Sequence, residues 1–353
     1  MNVYSKNTNI IFKRKLWIIF LLLVVVFIYW CLPVKDIVTD DLFIFRWNPS
    51  GQDINCHTRD DGDALPAAEG KYTPKENSIF FHETSCRGGF DSRQACAVES
   101  AARLHPTREI HVLFSAPVEE RVLKHSCLAK LQTYPNIKLS RVHIARYAKG
   151  TPLEAMVNSD QLSKSNWHVE HTSDVLRYLT LYKWGGIYLD TDTLVVKPFD
   201  DLGGNWVGRE DSTLVNAAVI GIANDKLGRK MIGDVVRELN NTYKPEMWNY
   251  NGPGSITRVL RRICKSPKLV DWTAENCQGF PVYGPEYFYP VHYSKFSDYF
   301  KAGTVINSPA AYTHHFWNKL SKDIAVKSDS PYAVMAREFC PEIYDMYGDS
   351  FGQ

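Results

Sequence analysis

HTSDVLRYLTLYKWGGIYLDTDTLVVKP, residues 171–198, reads as a helix, a stop and a short strand that runs into two acids. Val175, Leu176, Leu179 and Tyr182 recur at helical spacing, Thr172 or Ser173 is placed to cap the start, and Gly185-Gly186 to end it. Asp174 and Arg177 then project from one face, a turn apart. Ile187-Tyr188-Leu189 is an apolar strand. Asp190-Thr191-Asp192 falls at its end, before Leu194-Val195-Val196 resumes the apolar pattern. In a regular strand Asp190 and Asp192 share a face. Two carboxylates at such a corner suit a hard divalent cation and leave it open positions. A solvated turn would also favour Asp, but the motif lacks the further Asp, Gly and Glu spacing of a calcium loop.

Upstream, Ile79-Phe80-Phe81-His82-Glu83 reads as a strand and residues 93–104 as a helix. Residues 110–115 follow as a strand, 119–134 as a helix and 137–144 as a strand. This alternation predicts an α/β fold, a largely parallel sheet covered by helices, with ligands at the carboxyl ends of the strands. Residues 35–77 carry Asp, Gly, Pro and Ala with little periodicity and are expected to be a stem, with the globular body at 78–353.

Residues 16–34, LWIIFLLLVVVFIYWCLPV, are uncharged and about long enough to cross the ~30 Å hydrocarbon core as a helix. Lys6, Lys13, Arg14 and Lys15 precede them, and Asp36, Asp40 and Asp41 follow Lys35. The positive-inside rule therefore predicts a cytosolic tail at 1–15, a transmembrane signal anchor at 16–34 and a lumenal body. Tyr29, Trp30, Cys31 and Pro33 stand where a cleaved signal would need small residues. The formal net charge is +2, with Lys and Arg spread along 353 residues, so no nucleic-acid partner is indicated. Of eight cysteines, Cys31 lies in the apolar run, and the odd number left in the body requires a thiol that is free or pairs outside the chain. Cys264 with Cys277, and Cys86 with Cys96, are close enough in sequence to be local staples. Asn240-Asn241-Thr242 is a glycosylation sequon, whereas Asn48-Pro49-Ser50 is disqualified by its proline.

The stretch 171–198 also resembles the α1,4-glycosyltransferase family, which includes lactosylceramide 4-alpha-galactosyltransferases and mucin α1,4-N-acetylglucosaminyltransferases. So do residues 79–84 (IFFHET), 98–103 (VESAAR), Val215-Asn216-Ala217, Gly252-Pro253 with Thr257-Arg258-Val259, Phe288-Tyr289-Pro290 and His315-Phe316-Trp317-Asn318-Lys319. Ser173-Asp174, Arg177, Gly185-Gly186, Tyr188 and Asp190-Thr191-Asp192 are similar to the sugar-binding region of the large clostridial glucosylating toxins.

The resemblance implies a GT-A type, Rossmann-like domain in a single-pass type II membrane protein of the Golgi apparatus. It implies that Asp190 and Asp192 hold Mn²⁺ against a UDP-sugar diphosphate, where a cation offsets the charge developing on the leaving group. His315 would complete the metal site or touch the diphosphate. Asp174, Arg177 and Tyr188 would contact the donor sugar, and Asn216 and Asn251 the donor or acceptor. The bland readings are an i, i+3 surface pair for Asp174 and Arg177, a core histidine for His315, and a turn asparagine for Asn251. The activity implied is retaining, Mn²⁺-dependent transfer of galactose or N-acetylgalactosamine from UDP-galactose or UDP-N-acetylgalactosamine to a terminal sugar of a glycosphingolipid. Transfer of N-acetylglucosamine to protein-linked glycans is the alternative within this chemistry. A lumenal calcium-dependent glycan-binding protein is the alternative outside it.

Overall fold

The structure is a computed structural model that describes residues 55–59 and 61–353. The expected tail at 1–15, the anchor at 16–34 and the stem before Asn55 lie outside these residues. Among the described residues no helix is long and apolar enough to cross a membrane.

Three parallel strands open the sheet: β1 (Ile79–Glu83), β2 (Ile110–Phe114) and β3 (Ile137–Arg141). β1 and β2 are buried at every position, the near-continuous apolar run expected of strands covered on both faces. Helix α1 (Ser92–Leu104) starts where a capping box allows it. The Asp91 carboxylate accepts from the Gln94 amide (2.9 Å), and the Gln94 side chain accepts from the Asp91 amide (3.2 Å). The helix expected over 119–134 is broken at Ser126, whose extended backbone separates Glu120–His125 from Cys127–Leu131. The Ser126 hydroxyl caps the second piece through the Leu128 amide (3.2 Å).

Helix α2 (His168–Trp184) begins one turn earlier than its sequence suggests, with Trp167 at the cap position. Thr172 and Ser173 lie inside it. Gly185 (φ 68°) and Gly186 (φ 88°) then turn the chain, and a Cβ on Gly186 would stand 2.4 Å from the Ser78 carbonyl oxygen, so only glycine fits there. β4 (Gly186–Leu189) is thereby set parallel to β1, with Ile187 opposite Ile79. Beyond it the sheet changes direction: β7 (Val215–Ile222) runs antiparallel to β4 and to β6 (Trp206–Arg209), and β8 (Val282–Tyr283) pairs parallel with β6. The order is β3-β2-β1-β4-β7-β6-β8, a mixed sheet whose parallel half is the Rossmann-like part the resemblance implies. Helices α3 (Lys226–Thr242) and α4 (Pro253–Ile263) follow β7.

A second, two-stranded sheet brings the end of the chain back to the Asp-x-Asp. β5 (Thr193–Val195) follows the Asp-x-Asp and pairs antiparallel with β9 (Thr313–His315), which places Thr193 opposite His315. Nothing in sequence spacing announces this pairing.

The packed body reaches back at least to Asn55, whereas the stem was expected to run to residue 77. Cys56 is bonded to Cys86, and Ala67 bridges to Arg141 at the free edge of β3. The buried Arg141 guanidinium reaches the Cys56 and Arg59 carbonyls (3.1 and 2.9 Å) and the Asp63 carboxylate (3.1 Å).

Cys264–Cys277 forms as expected, but Cys86 and Cys96 do not pair with each other. Cys96 faces inward from α1 and is bonded to Cys340, 244 residues away, between α5 (Pro331–Phe339) and α6 (Pro341–Tyr347). Cys127 is the free, buried thiol among the described residues. The Glu99 carboxylate accepts the first amides of α6, Glu342 (3.1 Å) and Ile343 (2.8 Å), an anion at a helix N-terminus. Cys96→Ala is expected to lower unfolding free energy by about 2–5 kcal/mol. A urea midpoint equal to wild type would show that this clasp is dispensable.

Candidate active site

Asp190 stands at the carboxyl end of β4, where its amide still donates to the Ala218 carbonyl on β7 (2.8 Å). Three groups hold its carboxylate. The Tyr188 hydroxyl donates to Oδ1 (2.5 Å), Arg177 Nη2 lies 3.2 Å from Oδ1, and Arg177 Nη1 is 3.5 Å from Oδ2. Tyr188 is buried and its ring lies against the Arg177 guanidinium (4.7 Å). Its phenol donates to Asp190 and lies 3.0 Å from Ser173 Oγ, so Tyr188 positions a carboxylate.

Asp192 is held from the other side. His315 Nε2 is 3.1 Å from Oδ1, and the Asn318 backbone amide donates to Oδ2 (2.7 Å). That amide is aimed by Trp317, whose left-handed backbone (φ 55°, ψ 51°) is costly for a non-glycine residue by about 1–2 kcal/mol. The Trp317 indole is fixed against the His315 ring (4.3 Å) and donates to the Val291 carbonyl (3.0 Å). Between the two acids, the Thr191 hydroxyl accepts from Gln94 of the α1 capping box (3.3 Å).

Asp190, Asp192 and His315 present donor atoms that all lie within 4.8 Å of one another. Burial lowers the His315 pKa, but Asp192, and then Asp190 and Glu210, more than offset it and leave the imidazole above its ordinary value. Burial likewise raises Asp192, and the His315 charge and hydrogen bond with the Asn318 amide outweigh it and hold the carboxyl below the usual range. His315 Nδ1 is buried without a hydrogen-bond partner among the described residues. Two carboxylates and one imidazole suit a divalent cation such as Mn²⁺, whereas a calcium site is built from oxygens alone.

Asp174 and Arg177 share a face of α2 as the spacing predicts, 3.3 Å apart and both buried. They form no surface pair: Arg177 binds Asp174 and Asp190 together and donates to the Ala217 carbonyl (2.6 Å). Burial pushes the Asp174 carboxyl up to about 7 in spite of Arg177. Gly252 closes over it so tightly that a Cβ there would lie 2.0 Å from Asp174 Oδ1.

The two asparagines are both engaged within the fold. Asn216 donates to Glu210 (2.6 Å) and accepts from the Ala218 amide (2.8 Å), bracing the β6–β7 turn. Asn251 is wholly buried; its amide accepts from Lys244 N and donates to Lys244 O (2.8 Å each), which consumes it in a loop clasp. Glu210 was not singled out from sequence. It is a half-buried acid whose pKa is raised by burial, and its charge acts on His315 and, together with Asp190, on Tyr289. A residue in an Arg-Glu-Asp-Ser turn carries no signal of that placement.

The family described as "Glycosyltransferase sugar-binding region containing DXD motif" matches residues 91–209, and "Alpha 1,4-glycosyltransferase conserved region" matches residues 224–347. Asp190 and Asp192 lie in the first and His315 in the second. Lactosylceramide 4-alpha-galactosyltransferase of Homo sapiens is 28% identical over 289 residues, covering 79% of this chain and 80% of its own. The Rattus norvegicus enzyme of that name is 29% identical over 275 residues, covering 75% and 74%. Alpha-1,4-N-acetylglucosaminyltransferase of Homo sapiens is 26% identical over 279 residues, covering 75% and 79%. Among solved structures, galactosyltransferase LgtC in complex with donor and acceptor sugar analogs aligns over 76% of this chain and 95% of its own, at 17% identity and a TM-score of 0.43.

Proposed function

We propose that this chain, a UDP-sugar-dependent glycosyltransferase of the α1,4-glycosyltransferase family, moves galactose or N-acetylgalactosamine onto the terminal sugar of a glycosphingolipid with retention of configuration. The observation that carries the reading is the convergence of Asp190, Asp192 and His315 within 4.8 Å in a chain that spans most of a lactosylceramide galactosyltransferase. The calcium-dependent glycan-binding alternative falls away with the enzyme family. Transfer of N-acetylglucosamine to protein-linked glycans stays as the second reading, because a relative of that activity covers nearly as much of the chain.

Asp190, Asp192 and His315 are the residues that would hold Mn²⁺, which when bound offsets charge on a diphosphate leaving group. The protein's own part is to keep that set rigid. Arg177 and Tyr188 fix Asp190, while the Asn318 amide fixes Asp192. Arg177 and Asp174, buried together, are the donor-sugar pair in this reading, with Arg177 linking Asp174 to Asp190. Asn216 acts indirectly, by bracing Glu210.

Retention is assigned to a same-face substitution, with the departing phosphate oxygen helping to take the acceptor proton. Glu210 is the acid that a double displacement would call on. In NMR of early product made from a UDP-α-sugar, an α-linkage is expected, and a β-linkage would end the retaining assignment. A glycosyl adduct trapped on Glu210 would replace the same-face route and leave retention standing.

The setting proposed is the Golgi membrane, anchored at 16–34 with the body in the lumen, where three disulfides are at home. The sequon at Asn240 sits in the last turn of α3, half-buried. Protease added outside intact microsomes is expected to spare the body; digestion of the body would reverse the orientation. A screen of UDP-sugars with Mn²⁺ against glycolipids tests the activity. Full transfer in EDTA would remove the metal from it.

A further inference from the structure

Trp248 is the one tryptophan among the described residues that is more than a third exposed, at 39%, and Met247 beside it is exposed at 40%. Both sit in the loop between α3 and α4, yet this loop is braced from within. His171, in the first turn of α2, lies against the Met247 and Trp248 carbonyls (3.1 and 3.3 Å) and is backed by the Ser165 hydroxyl (2.7 Å). The buried Asn251 clasps Lys244 across the loop.

The Trp248 ring meets Trp167 edge to face, with centroids 4.6 Å apart. Lys319 Nζ stands 5.3 Å from the Trp167 ring and 5.1 Å from the Trp248 ring and is paired with Glu170 (2.6 Å). The Trp167 indole N–H is shielded and has no acceptor among the described residues. Two indoles with an ammonium over both rings and an acid paired to it have the chemistry of a sugar site, apolar surface for ring C–H groups and charged partners for hydroxyls. The cluster also adjoins the catalytic set. Lys319 follows Asn318, whose amide holds Asp192, and Glu170 lies one turn before Asp174 and acts on its charge.

Resting on the glycosyltransferase reading above, we infer that Trp248, Trp167, Lys319 and Glu170 form the subsite for the terminal pyranose ring of the acceptor. The ring stacks on the exposed indole of Trp248, and its hydroxyls reach Lys319 and Glu170. His171 and Asn251 are positioning residues that keep the platform beside the donor.

The test uses the full-length protein in detergent, with lactosylceramide and methyl lactoside as acceptor probes and acceptor-free UDP-sugar hydrolysis as the control. Trp248→Ala is expected to raise the acceptor KM about tenfold, a stacking contact of about 1.4 kcal/mol. Hydrolysis and the donor KM should stay within about twofold. Trp248→Tyr should recover most of the loss. Fluorescence titration with methyl lactoside in the presence of UDP should saturate in wild type and weaken in the Ala variant. An unchanged acceptor KM, an unchanged titration, or an equal fall in hydrolysis and transfer would each overturn the subsite. Failure of the wild type to hydrolyse or transfer any UDP-sugar would instead strike the activity on which it rests.

Discussion

Asp192→Asn and Asp190→Asn are each expected to lower transfer by about 10³-fold or more while leaving thermal stability within a few degrees of wild type. The asparagine oxygen can still accept from the Asn318 amide at position 192, or from Tyr188 at position 190, so the local scaffold has what it needs to persist. What disappears is the negative charge that a divalent cation requires. Losing about 4 kcal/mol of transition-state stabilisation corresponds to about 10³ in rate. The measurement is the initial rate at saturating UDP-sugar and Mn²⁺, read beside a melt of each variant. Either variant within tenfold of wild type would remove that carboxylate from the metal site. His315→Ala should show its deficit as a higher metal requirement, since the two acids remain.

Arg177→Met should damage the fold itself. The guanidinium is buried between two carboxylates, 3.3 Å from Asp174 and 3.2 Å from Asp190. Removing it strands both acids, a loss of about 3–5 kcal/mol. The loss should depend on pH in a stated direction. Burial raises Asp174 to about 7, so the folded state holds that proton more tightly than the unfolded chain does. Its contribution is full below the ordinary aspartate value and is lost as pH rises toward 7. Without Arg177, which pulls it down, Asp174 moves higher still. The gap between variant and wild type should therefore be smaller at pH 5 than at pH 8. Urea unfolding at both values checks this, and a larger gap at pH 5 would reverse the assignment.

What was legible in the sequence was local. The apolar run into Asp190 gives β4, the helical stretch over 93–104 gives α1, and one helical turn joins Asp174 to Arg177, because each depends on neighbours within a few residues. What was not legible depends on partners far along the chain. The start of α2 was placed too late because Ser173 resembles a cap, whereas its hydroxyl is used on Tyr188 and Arg177. Cys96 looked like a partner for Cys86 until the fold turned it toward Cys340. Asn251 was named for the donor or acceptor sugar beside the bland reading of a turn asparagine before Gly252-Pro253, and the contact it makes across the chain, to Lys244, was not legible from that turn. His315 was expected through resemblance alone, and the β5–β9 register supplies the physical reason for its place.

That register has a consequence for biosynthesis. Asp192 and the Asn318 amide that holds it are 126 residues apart. At 5–20 residues per second, roughly 6–25 s of translation separate them. Throughout that interval the nascent chain carries Asp190 and Asp192 without the strand that supplies His315, and Cys96 without the thiol it will bond. Competence therefore arrives late and all at once, as β9 docks on β5. A message cut short between codons 192 and 315 would yield a protein with its Asp-x-Asp intact, an incomplete candidate cation site and an unpaired Cys96 for the quality-control machinery to find.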